Sequence, residues 1–308
     1  MINHMCYASP LGEVIQFENG IYIDWDAVLN YSWSYEKTRN SISGVLMEVS
    51  EKEVEFSIYN KDGLNVEKTR NELFEVFEAD LLNGVPGKLW FNDYYLECFI
   101  VAGSNSSYYK TRQQHTKFKL VSSDPMWHKT SLYQFEPVVE LSGGDSPLDL
   151  PFDLGLATSN RKVIDVDGIG TASFELTIYG PCTDPAIEIN GHRYGINGTI
   201  ASNEYVVVKS YNNKQTRSIT KHAYDGSSVN WFGHRVKEES IFEEIPTGKA
   251  VITWGGTFAF DLLVVANRSE PPWVVYETSS NKVEDVAFLM DGNGGLILDS
   301  DGSAILTA

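Results

Sequence analysis

The chain has 308 residues, 42% hydrophobic and 21% charged, a globular balance that excludes wholesale disorder. Its 24 Lys and Arg stand against 42 Asp and Glu, a net charge of −18, so it lacks the basic footprint that tight or sequence-specific nucleic-acid binding requires. The length exceeds one typical domain of about 100–200 residues and sets two domains as the expectation.

The N-terminus, Met1-Ile-Asn-His-Met5, has no basic n-region and no long apolar stretch, so it does not read as a secretory signal. Apolar runs such as Leu262–Ala266 are strand-sized, far below the roughly 18 residues of a membrane span. Cys6, Cys98 and Cys182 are odd in number, far apart and form no C-x-x-C. They read as reduced thiols of a protein made in a cytosol. Aromatics at 12% together with 25 Gly favour strands and tight turns.

In chain order, Val28–Tyr35 and Gly44–Val49 are strand candidates, and the polar stretch Glu36–Ser43 between them suits a projecting hairpin or arm. Val54, Phe56 and Ile58 alternate with Glu53, Glu55 and Ser57, the period of a half-buried strand. One helix follows: Leu73, Phe74, Phe77 and Leu81 recur at helical spacing, Asn65 suits its N-cap, and Gly84 with Pro86 its stop. Strands are then expected over Gly87–Phe91, Tyr94–Val101 and Thr116–Val121, with a turn at Asn92-Asp93 and a stop at Ser123-Asp124-Pro125. Leu89, Phe91, Leu96 and Phe99 are the expected core positions of that strand pair.

Pro137–Asp153, with its prolines and a Gly-Gly pair, is the candidate domain junction. Beyond it Phe174, Leu176 and Ile178 alternate with Ser173, Glu175 and Thr177, and Gly180-Pro181 ends that strand. Asn190-Gly191 between two short apolar runs is a hairpin signal, and Asp225-Gly226 is another. Val251–Trp254 and Phe258–Ala266 flank Gly255-Gly256. Short strands at this density, with no clear helix, predict a β-sandwich. The expected division is 1–135 as a β domain with one α-helix, 136–273 as a β-sandwich, and 274–308 as an extension with short β segments. In that extension Asp291–Leu298 and Asp299–Leu306 are alike, each an acidic Gly-rich turn before a short aliphatic strand that needs another surface to bury it.

The sequence carries no P-loop, no G-x-G-x-x-G between strand and helix, no G-x-S-x-G and no H-E-x-x-H. The acidic turns at Asp165, Asp291 and Asp299 fail the calcium-loop pattern. The fifth and twelfth positions from Asp165 are Ile169 and Leu176, those from Asp291 are Gly295 and Gly302, and from Asp299 the sequence ends before the twelfth. His234 and Glu238 lie four apart outside any expected helix, which brings nothing together. The expectation is therefore no catalytic residue, no metal and no cofactor.

Three stretches, in order, carry a family resemblance. They are Pro86-Gly-Lys-Leu-Trp-Phe-Asn-Asp-Tyr-Tyr-Leu-Glu-Cys-Phe99, closed by Ser123-Asp-Pro-Met-Trp127; Phe174-Glu-Leu-Thr-Ile-Tyr-Gly-Pro181 with Pro185–His192; and Ile245–Asp261 ending at Arg268-Ser-Glu-Pro-Pro-Trp273. Over roughly residues 15–273 the chain resembles the distal tail proteins (Dit) of long non-contractile-tailed phages and prophages of Gram-positive hosts. The resemblance implies an N-terminal ring-forming β domain with one helix and a C-terminal galectin-like sandwich. It also implies a homo-oligomer, a hexameric ring at the virion tail tip that joins a tail-tube protein to a tail-associated tip or baseplate protein and lets DNA pass. Its contact residues are not implied. Galectins bind sugar through His, Asn and Arg beside a Trp. Here His192, Arg193 and Asn197 lie near a hairpin, and Trp231 is followed by His234, Arg235 and Glu238. This order departs from the galectin pattern, so the lectin site is not carried over, and carbohydrate binding to host cell wall is the alternative function.

Overall fold

The computed structural model describes residues 5–61, 63–109, 112–138, 160–211, 217–272, 284–285, 287–288 and 306–307. It divides into two compact units: Met1–Lys129 with Asn267–Thr278, and Thr130–Ala266 with Ser279–Ala308. Both are mainly antiparallel β. From residue 139 onward the candidate junction lies outside the described residues, as do the turns at Asp291 and Asp299.

The first unit begins with β1 (Met5–Ala8), β2 (Val14–Gln16), β3 (Ile21–Ile23), α1 (Trp25–Leu29), β4 (Ser34–Lys37), β5 (Ile42–Leu46) and β6 (Ser50–Tyr59). It continues with α2 (Val66–Asn83), β7 (Gly87–Phe91), β8 (Tyr94–Tyr109), β9 (Gln113–Ser122) and the start of β10 (Trp127–Phe135). One ladder runs β2-β1-β7-β8, and a second runs β8-β9-β6-β3. The long β8 therefore belongs to both. Val54, Phe56 and Ile58 point inward as the alternation predicts, and meet Leu73 and Phe77 of α2 in one core. Phe77 stands edge-on to Tyr7, Phe56 and Phe118, with ring centroids 5.1, 5.9 and 5.4 Å away. Full burial of each such ring stabilises the unit by about 1.5–3 kcal/mol.

The helix ends as expected. The Asn65 side chain accepts from the Lys68 N–H at 3.0 Å, and Gly84 takes φ 67°. Its buried stripe differs from the expected one. Leu81 is exposed, and Asp80 is buried in its place, accepting from the Tyr7 hydroxyl at 2.7 Å and the Ser9 hydroxyl at 2.5 Å. Burial, and then the bond to Asp80, raise the Tyr7 phenol well above its ordinary range. Gly87 makes room for this ring, because a Cβ there would lie 2.1 Å from the Tyr7 hydroxyl. In β8 the inward residues are Leu96, Cys98 and Ile100. Phe99 falls on the other face by strict alternation and is only half-buried, against expectation. Val28 belongs to α1 rather than to a strand; this one-turn helix is additional to the predicted one and too short to show a period.

The chain passes to the second unit within β10 and returns within β20. Between them lie β11 (Arg161–Tyr179), β12 (Cys182–Thr183), β13 (Ala186–Ile189), β14 (His192–Gly195), β15 (Thr199–Ile200), β16 (Tyr205–Lys209), β17 (Ser218–His222), β18 (Ser228–Asn230) and β19 (Ile245–Trp254). A 3₁₀ turn at Phe232–His234 precedes β19, and β20 is Phe260–Arg268. β11 pairs with β19 through its first half and with β16 and β20 through its second. The register shifts between Val166 and Thr171, where Gly168 and Gly170 take φ 118° and 86°. The two sheets sharing β11 enclose a core that includes Phe174, Leu176, Ile178, Ile252 and Leu262, the sandwich read from the turn spacing. Asn190 and Gly191 take φ 51° and 82°, the type I′ pair that this dipeptide predicts. Three short strands, β21 (Glu284–Asp285), β22 (Ala287–Phe288) and β23 (Leu306–Thr307), follow; β21 pairs antiparallel with the start of β11, and β22 pairs with β23.

Candidate assembly surface

Among the described residues, β4 and β5 pair with each other alone. The register sets Tyr35 opposite Val45 and, after a shift, Lys37 opposite Ile42. Tyr35, Lys37, Ile42 and Val45 thereby share one face of the hairpin. The tip is closed by the Thr38 N–H donating to the Ser41 carbonyl at 2.8 Å and by the Thr38 hydroxyl donating to the same oxygen at 3.0 Å. The Lys37 ammonium lies 5.1 Å from the centre of the Tyr35 ring.

This hairpin is an arm with an apolar surface. Tyr35, Ile42 and Val45 are 52%, 62% and 59% exposed, and Tyr31, Trp33 and Val49 at its root are exposed as well. A two-stranded hairpin is marginal in water, and both of its edges carry open backbone donors and acceptors. An apolar cluster of this kind on a solvent-facing hairpin makes the arm the candidate contact surface. The sequence located the arm through its polar tip; the apolar strands beside the tip read only as strands.

The root is tied down. Lys52 donates to the Val28 carbonyl, joining the third residue of β6 to α1. A pocket of about 370 Å³ lies beside it, lined by Asn30–Tyr31 and Met47–Lys52. Burial lowers the Lys52 ammonium to about 8, with the neighbouring Cys98 acting in the opposite direction. Burial drives the Cys98 thiol up to about 12.

Two other side-chain clusters carry titratable or galectin-type residues. Ser57 and Glu55 both approach His115, at 2.7 and 3.2 Å, through the same nitrogen Nδ1. A nucleophile and an orienting carboxylate must occupy opposite ring nitrogens, so this is no relay. Of the galectin-type residues, the structure brings Asn197, Trp231, His234 and Arg235 together. The Asn197 N–H donates to the His234 carbonyl at 2.7 Å, His234 Nδ1 lies 2.9 Å from the Asn197 carbonyl oxygen, and Trp231 stacks on His234 at 4.4 Å. Arg235 donates to the Phe232 carbonyl at 2.8 Å. His192 Nε2 lies 2.8 Å from the Ser240 carbonyl oxygen, the Arg193 N–H donates to Glu239 at 2.6 Å, and Glu238 accepts from the Lys237 N–H at 3.0 Å. These polar groups hold backbone, and they fix the loop 231–240. Among the described residues no group of three or more His, Cys, Asp or Glu is placed to hold a metal, and no helix is long and apolar enough to cross a membrane.

No protein-family model matches the chain, and no curated protein matches it. Solved structures do. A chain of the phage p2 baseplate in its activated conformation with calcium is similar with a TM-score of 0.53 and 13% identity, over 88% of this chain and 100% of that one. The same baseplate with strontium gives 0.52 and 12%, over 88% and 100%. The Dit protein of phage SPP1, described as a paradigm of the hub of adsorption apparatus in phages infecting Gram-positive hosts, gives 0.45 and 9%, over 87% and 100%. The p2 likeness shows a shared fold along most of the chain, the fold expected from the three sequence stretches.

Proposed function

We propose that this chain is a structural component of a phage or prophage tail tip, a distal tail protein whose copies assemble through the arm into a ring, hexameric as in the family it resembles. The observation that carries the reading is the arm, an apolar two-stranded hairpin on a chain with a phage-baseplate fold. In this reading the ring joins a tail-tube protein to a tip or baseplate protein, and the first unit, with the helix, makes the ring. The second is the galectin-like module, with 274–308 as an extension. The net charge of −18 supports a channel through which DNA slides without sticking.

Light scattering of the purified full chain tests the reading. The expected mass is six times that of the 34.5 kDa chain. A strict monomer at all concentrations overturns it.

A further inference from the structure

The arm supplies only one half of a contact. The other half must be a surface of different shape on the neighbouring copy, or a second arm. A groove of about 830 Å³ runs between the β2–β3 segment and α2. Its floor is apolar: Ile15, Leu64 and Val76 pack against the core on one side and are left half-buried on the other. Its rim is acidic, with Glu13, Glu18, Glu72 and Glu75 all exposed and no Lys or Arg among the lining residues. Lys68 offsets one of these, Glu72, at 3.3 Å. No residue of the same chain's arm lines the groove.

The arm has the complementary pattern. Lys37 and Arg39 are exposed at its tip, directly beside the apolar face of Tyr35, Ile42 and Val45. We propose that the groove between β2–β3 and α2 receives the arm tip of a neighbouring copy, the apolar face seated on Ile15, Leu64 and Val76 and the tip cations against the glutamate rim. This rests on the assembly reading above and names the surface the arm meets. Charge selects the occupant. The sequence 274–308, with its short aliphatic runs, carries Glu277, Glu284, Asp285, Asp291, Asp299 and Asp301 against Lys282 alone, and the rim repels it. Because arm and groove are different surfaces, the contact is head-to-tail, the type that propagates and closes into rings.

Two full-length variants test the match. Lys37→Glu with Arg39→Glu reverses the tip; Glu13→Lys with Glu75→Lys reverses the rim. All four side chains are exposed and outside the cores. Sedimentation velocity at low salt reads the assembly. Each variant alone is expected to need a chain concentration at least about tenfold higher than the wild type to assemble. An equimolar mixture is expected to regain wild-type assembly, since each reversed tip then meets a reversed rim in alternation. A Val45→Asp variant separates the two readings. If both charge variants assemble normally while Val45→Asp is monomeric, the arm contact stands and the groove is overturned. If Val45→Asp also assembles normally, the arm reading falls and the groove with it. Reversed variants that stay monomeric on mixing also overturn the groove.

Discussion

Ile42→Ser with Val45→Ser strips the apolar face of the arm and touches neither core. The two side chains are 62% and 59% exposed, so a contact that covers them removes rather more than half of each from water. Full burial of such a side chain is worth about 1.5–3 kcal/mol, which gives about 1–1.5 kcal/mol each and about 2–3 kcal/mol per contact. That weakens association roughly 30- to 150-fold. The monomer should be unaffected to within about 0.5 kcal/mol, because exposed positions contribute little to folding. Sedimentation equilibrium gives the first quantity and urea unfolding of dilute protein the second. Association constants equal to the wild type would refute the reasoning. So would a variant whose weaker assembly is accompanied by an equal loss of monomer stability.

Three further outcomes concern the scaffold. Tyr7→Phe removes one of the two hydroxyls donated to buried Asp80 and should cost about 1–3 kcal/mol, measured by urea unfolding; an unchanged midpoint would contradict the pairing. Gly180→Ala should destabilise the second unit by at least about 2 kcal/mol, because its Cβ would lie 2.0 Å from the Ala201 carbonyl oxygen, with calorimetry as the check. Lys52 binds its proton less tightly folded, at about 8, than unfolded, near 10.5. Between these values the unfolded chain holds more protons, so stability rises with pH. Lys52→Met should lack that rise between pH 8 and 9. Above this range Cys98, with its folded thiol near 12, acts oppositely, so the comparison with wild type is confined to that window.

What could be read ahead of the structure was what depends on near neighbours in sequence. The alternation through Val54–Ile58, the Asn65 and Gly84 caps and the Asn190-Gly191 turn each encode their own geometry within a few residues. Asp80 could not be read as buried, because its partners Tyr7 and Ser9 lie 73 and 71 residues away. Leu81, one residue on, was the better apolar candidate on a helical wheel. Phe99 is the larger apolar residue, but the phase of β8 is set by Leu96 and puts the smaller Cys98 inside instead. Both passages between units fall inside β10 and β20, where continuous strand character leaves no compositional mark. The proposed assembly surface is half legible. Charged and polar residues mark the tip of the arm, but an apolar residue on an exposed strand has the same letter as one in a core.

Negative-stain electron microscopy of the purified full-length chain tests the central claim most directly. Closed rings with six-fold symmetry and an open centre are the predicted result; fields of single particles the size of one chain, at concentrations where assembly should be complete, would contradict it.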